Sequence, residues 1–172
     1  MNPAAHETDG LKRCFPPVVD RDTRLLILGS LPGERSLAQQ QYYAHRQNRF
    51  WVLLGAALGT ELAALAYEAR LACLLDHGVG LWDVVAEARR TGSLDSRIRD
   101  ASGNDLVALV GSLPRLSTIA FNGATAARLG LRQLGATAAS LRIVTLPSSS
   151  PAHARPLPEK LDAWRVLGEC LA

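Results

Sequence analysis

Apolar residues along this chain follow two rhythms. Short, mainly apolar runs occupy residues 24–28 (RLLIL), 79–82 (VGLW), 116–121 (LSTIAF) and 141–146 (LRIVTL), the first of them continuous. Each has the length of a strand, and the first is apolar enough to be buried on both faces. Between them lie longer stretches with apolar residues three or four apart, the spacing of one helix face. Asn48 caps a predicted helix over 49–58, and Leu62, Leu65, Ala66, Ala69, Ala72 and Cys73 form one face of another over 61–76. Gly78 stops it. Asp83 is read as the cap of a helix over 84–90, followed by a polar, basic surface loop with one helical turn over 91–102. Further helices are predicted over 105–113, ended by Pro114, and over 124–134, ended by Gly135. Pro158 opens the last helix, with Leu161, Trp164, Leu167 and Leu171 facing inward.

Strands alternating with helices predict an α/β fold: a three-layer α/β/α sandwich around a short, mostly parallel four-stranded sheet. Right-handed crossovers bring every strand-to-helix loop to one sheet edge. The loops after Leu28, Phe121 and Leu146 should therefore converge, although about a hundred residues separate the first from the last. Residues 1–20, which end in a Pro-Pro pair, read as a flexible leader whose Phe15 and Val18 pack on the domain. Residues 21–172 read as a single domain.

Composition narrows the class. The chain has 172 residues, 48% of them hydrophobic and 20% charged, which suits one globular domain. No apolar run reaches a membrane span and no secretion signal opens the chain, so a cytoplasmic location is expected. Net charge is +3, with 17 Arg against 2 Lys. An Arg fork suits phosphate, but a GC-rich genome produces the same bias. Cys14, Cys73 and Cys170 lie far apart, and the four His residues share no metal-ligand spacing, so no metal is expected.

The chemistry concentrates in four polar motifs on the predicted edge. Gly29-Ser30-Leu31-Pro32-Gly33 lets a ligand approach the backbone closely, but lacks the Lys-Ser/Thr ending of a phosphate loop. Residues 42–51 (YYAHRQNRFW) interleave aromatics with Arg and amides, a mixture that can stack on a base and bond its edge. Within it Phe50 and Trp51 are expected to pack in the core, and Asn48 to cap a helix, catalyse, or both. Phe121-Asn122-Gly123 is either a plain turn or an amide aimed at a base edge. Residues 147–155 (PSSSPAHAR) offer three hydroxyls on a Pro-bounded loop stiff enough to enter a groove.

Taken in order and spacing, GSLPG, YYAHRQNRFW, FNG and LPSSSPAHA resemble the uracil-DNA glycosylase superfamily across residues 24–171. The nearest branch is the deoxyinosine (hypoxanthine) DNA glycosylases, followed by the mismatch-specific uracil/thymine enzymes. The resemblance implies a monofunctional DNA repair enzyme that flips a deaminated base out of DNA and hydrolyses its N-glycosidic bond. It implies no cofactor. The expected partner is single- or double-stranded DNA with a deaminated base, bound by a monomer.

Roles carry over position by position. Gly29, Ser30 and Leu31 fall in the first active-site motif, whose third residue is a water-activating Asn in the mismatch-specific enzymes. Leu31 departs from that pattern, as the deoxyinosine branch also does. Asn48 is the replacement expected to position the water. Tyr43 falls where an aromatic stacks on the flipped base, and Asn122 near the base-reading strand end. Ser148 takes the place of a catalytic His or Asn. Pro151, Ala152 and His153 occupy the DNA-wedging loop, with Ser149, Ser150, Arg155 and Arg46 as further DNA contacts. Uracil and hypoxanthine both stay open as substrates. Leu31 also leaves open a silent lesion or abasic-site binder with the same fold, and a protein acting on free nucleotides is a weaker third reading.

Overall fold

A computed structural model describes residues 10–172. Its centre is a four-stranded, wholly parallel sheet in the order β3-β2-β6-β7. These strands are β2 (Leu25–Gly29), β3 (Val79–Asp83), β6 (Thr118–Asn122) and β7 (Arg142–Leu146). All four lie where the apolar runs predicted strands, within one or two residues.

Two-sided burial explains the unbroken apolar character of β2. Leu25 and Ile27 face a cluster with Leu53 and Leu54 of α2 (Phe50–Leu58), Leu74 of α3 (Tyr67–Asp76), Trp164 of α6 (Leu157–Trp164) and Leu167 of α7 (Val166–Leu171). Leu26 and Leu28 face the other side, against Leu106 of α4 (Leu106–Gly111) and Ala126, Ala127 and Leu134 of α5 (Ala124–Leu134). Successive strand side chains alternate between faces, so five apolar residues supply two helical layers. The expected three-layer sandwich follows. The helix expected over 61–76 is a 3-10 turn (Leu62–Ala64) and then α3, and the last helix breaks at Arg165 into α6 and α7.

One element differs in kind. The helix expected over 84–90 is instead a strand, β4 (Val85–Arg89), in a small antiparallel sheet with β1 (Leu11–Arg13) and β5 (Arg99–Gly103). Ala and Glu favour a helix locally, yet β4 pairs on one edge with β1, far away in sequence, and on the other with the next strand, β5, and those ladders decide its conformation. Part of the expected 91–102 loop accordingly becomes β5, preceded by a 3-10 turn (Asp95–Arg97). Of the segment read as a leader, residues 1–9 lie outside the described residues. The rest is not loose: β1 pairs with β4, Val18 bridges Leu81, and Phe15 meets Tyr42 edge-on at 5.1 Å. Among the described residues no helix is long and apolar enough to cross a membrane.

Candidate active site

In a parallel sheet ligands bind beyond the carboxyl ends of the strands, where successive connections leave in opposite directions. Here the chain passes from β2 to β3 on one side, then places β6 on the other side of β2. A cavity of about 480 Å³ opens at that point. Tyr43 and Asn48 from the loop after β2, Asn122 at the end of β6 and Ser148 from the loop after β7 all line it.

The long loop after β2 brings its aromatics in by stacking. The Tyr43 ring lies parallel to Phe50, with centroids 3.7 Å apart and planes 12° apart. Phe50 is fully buried and Trp51 nearly so, the core roles expected of them. Tyr43 adopts a left-handed backbone (φ 54°), unusual for a bulky residue and characteristic of functional loops. Its hydroxyl is buried without a hydrogen-bond partner. The Asn48 side-chain carbonyl accepts the Phe50 N–H at 3.0 Å, which orients the amide and leaves its NH₂ and one lone pair for other partners.

The first motif curves over the small sheet. The Leu31 side chain, 6% exposed, packs with Val85 and Ala88, which explains an apolar residue there. Ser30 Oγ donates to Asp95 Oδ1 at 2.6 Å. Arg90, 2% exposed, reaches under the motif and donates to the carbonyls of Leu31 and Pro32.

The fourth motif is tied from beneath. Asn122 donates to Ser149 Oγ and accepts the Ser149 N–H, both at 2.9 Å. The Lys160 ammonium, 4% exposed, donates to the carbonyls of Ser150 (3.2 Å) and His153 (3.0 Å). Trp164 Nε1 donates to the Pro147 carbonyl at 2.9 Å, and the Arg49 N–H to that of Ser149 at 3.0 Å. Ser148 Oγ accepts the Ser150 N–H. Gly123 has φ 100°, and a Cβ there would stand 3.2 Å from that of Ser148, so only glycine lets this loop and the α5 N-terminus meet. Ser150, Pro151, Ala152 and His153 reach the cavity rim, with 151–155 exposed. Arg155 and Arg46 stand outside the cavity: Arg155 pairs with Glu159, and Arg46 borders a separate shallow depression.

Sequence reasoning missed the charged wall. Asp83, read as a helix cap, ends β3 in register with Gly29 and lines the cavity back at 3% exposure. Its Oδ2 has no hydrogen-bond partner. Burial, and secondarily nearby Asp95, raise its pKa to about 7, against an opposing pull from Arg90. Burial likewise pushes Asp95 and the Tyr43 hydroxyl upward. The available signal was the position of Asp83 at the end of a predicted strand.

A parallel α/β sandwich with a cavity of mixed polar and apolar lining at the topological switch point, bordered by a Ser-rich loop, is the layout of an α/β enzyme that binds a small ligand at its sheet edge. Residues 16–168 match the family described as the Uracil DNA glycosylase superfamily. The chain belongs to that superfamily and is a monofunctional DNA N-glycosylase, a hydrolase. It is 41% identical over 159 residues to a protein of Methanosarcina acetivorans named hypoxanthine DNA glycosylase, covering 91% of this chain and 98% of the relative. A protein of the same name from Methanosarcina barkeri is 39% identical over 155 residues, covering 89% and 95%. The solution NMR structure of a candidate uracil DNA glycosylase from M. acetivorans superposes with a TM-score of 0.81 at 40% identity, covering 94% of this chain and 98% of that one.

Proposed function

We propose that this cavity receives a deaminated base flipped out of DNA, hypoxanthine in the first instance, and that hydrolysis of its N-glycosidic bond leaves an abasic site. The observation that carries this reading is the meeting of Tyr43, Asn48, Asn122 and Ser148 around one cavity. The two relatives named hypoxanthine DNA glycosylase support the purine over uracil.

Flipping is required because the glycosidic carbon is shielded within the stack. Tyr43, backed by Phe50, offers a rigid face on which the base stacks. As the C1′–N bond breaks, the sugar becomes oxocarbenium-like and DNA phosphates stabilise its charge. Asn48, oriented by the Phe50 N–H, holds the attacking water. Ser148 and neighbouring N–H groups support the departing base, and Asn122 fixes their loop through Ser149. Residues 151–153 wedge into the duplex while Arg155 and Arg46 meet phosphate; Ser149, expected to touch DNA, is 1% exposed and instead anchors the loop to Asn122. The enzyme acts as a monomer in the cytoplasm, on single- or double-stranded DNA.

The test is release of free base from matched oligonucleotides carrying one dI or one dU. Hypoxanthine release exceeding uracil release is expected. Faster uracil release would reverse the substrate assignment. Tight abasic-site binding with no release of either base would overturn it.

A further inference from the structure

The back of the cavity holds two buried polar groups that nothing in the protein satisfies. Asp83 Oδ2 and the Tyr43 hydroxyl both lack a hydrogen-bond partner. Gly29 lets both side chains pack directly against the end of β2: a Cβ there would stand 2.6 Å from Asp83 Oδ1 and 2.8 Å from the Tyr43 hydroxyl oxygen. The Asp83 backbone is held independently, its N–H and carbonyl side secured by register with β2 and by Asn104 Nδ2 donating to its carbonyl at 2.7 Å. One oxygen of the carboxyl thus stays unpaired, although buried polar groups are almost always paired. An unpaired donor and acceptor at the end of a pocket signal a polar ligand edge.

A purine supplies what this end lacks. Hypoxanthine leaves poorly as an anion at N9, but as a neutral molecule once N7 takes a proton. Uracil has no equivalent ring nitrogen. Resting on the hypoxanthine reading above, we propose that Asp83 is the general acid for purine release, donating its proton to N7 of the flipped base.

The step balances. The Asp83 carboxyl proton moves to N7, the C1′–N9 bond breaks, and its electron pair goes to the base, which leaves neutral. Water adds to C1′ and loses a proton to solvent, and the Asp83 carboxylate recovers one from solvent. Groups from several elements face Asp83: Asp95 on the 3-10 turn, Arg90 at the end of β4, Cys14 after β1, and Tyr42 and Tyr43 on the long loop. Burial, followed by Asp95, sets Asp83 near 7, so the acid form is well populated at neutral pH.

Single-turnover excision from dI-containing DNA tests the assignment across pH 5.5 to 9. The wild-type rate should fall about tenfold per pH unit above roughly 7, because only the protonated carboxyl acts. Asp83→Asn keeps a donor but cannot transfer its proton. It should be ~10²–10⁴-fold slower at pH 6, with a flattened profile. Wild-type enzyme should bind 7-deaza-2′-deoxyinosine DNA but not release the base, since that analogue lacks N7. This arm needs no variant and stands if Asp83→Asn misfolds. A wild-type rate that rises with pH, an unimpaired Asp83→Asn at pH 6, or rapid release of 7-deazahypoxanthine would overturn the role of Asp83 alone. No release from dI at any pH would overturn the substrate reading and this assignment together.

Discussion

The cavity has two walls of opposite character. One is built by the loops after β2, β6 and β7 and presents neutral groups: the Tyr43 ring, the Asn48 and Asn122 amides and the Ser148 hydroxyl. The other comes from the end of β3 and the segment after β4, and carries Asp83 and Asp95 with Arg90 behind them. The neutral groups are oriented by hydrogen bonds from their own surroundings, as Asn48 is by the Phe50 N–H. Asp83 is held by its strand, with part of its carboxyl unsatisfied. Fixed neutral dipoles suit holding a water and a base. An unsatisfied acid with a pKa near 7 suits moving a proton. The contrast divides positioning from proton transfer between the two walls.

Removing a group from the neutral wall should slow the chemistry as much as removing Asp83 from the charged one. Asn48→Ala is expected to slow base excision by ~10²–10⁴-fold, the range for an oriented catalytic group. It should also cost about 1 kcal/mol of stability, because the Phe50 N–H loses its acceptor. Asn48→Asp retains that acceptor and should keep wild-type stability, so paired kinetics and urea unfolding separate the two effects. Wild-type excision by Asn48→Ala would reduce this wall to scaffold.

The charged wall should reveal itself in stability. The folded pKa of Asp83, about 7, lies above the ordinary 3.8, so the fold favours the protonated form. Its contribution is fully present below about pH 4 and is lost as pH rises through 7. The loss reaches up to roughly 4 kcal/mol at pH 8. Asp83→Asn does not titrate, so its advantage over wild type in urea unfolding should grow from pH 5 to pH 8. A gap independent of pH would show that the carboxyl is solvated and that the walls do not differ in this way.

A smaller effect is expected beneath the neutral wall. Lys160→Met leaves the Ser150 and His153 carbonyls without their shared donor and should cost ~1–3 kcal/mol. Duplex binding should weaken while the single-turnover rate on bound substrate stays near wild type. A large fall in that rate would mean that the Lys160 tether also sets the catalytic geometry of Ser148.

The neutral wall was legible before any coordinates. Its residues sit in loops directly after apolar strands, and the handedness of crossovers brings such loops together. The placement of Tyr43, Asn48, Asn122 and Ser148 around one cavity agrees with that reasoning, while their roles rest on experiment. The charged wall was not legible. Asp83 looks like a helix cap because the residues after it are good helix formers, and only pairing with 11–13 and 99–103 makes them a strand. Lys160 was equally hidden, since one Lys in a polar helix turn looks solvent-facing until the loop above it closes.

By itself, the sequence determined the parallel sheet, its helical layers, the polar edge and the superfamily. These follow from periodicity and local motifs, which each segment carries on its own. Tertiary structure alone decided the second sheet, the burial of Asp83, Arg90 and Lys160, and the close packing of Asp83 and Tyr43 over Gly29. Those depend on contacts that no single segment carries, and the desolvation that alters a charge exists only once the chain has closed around it.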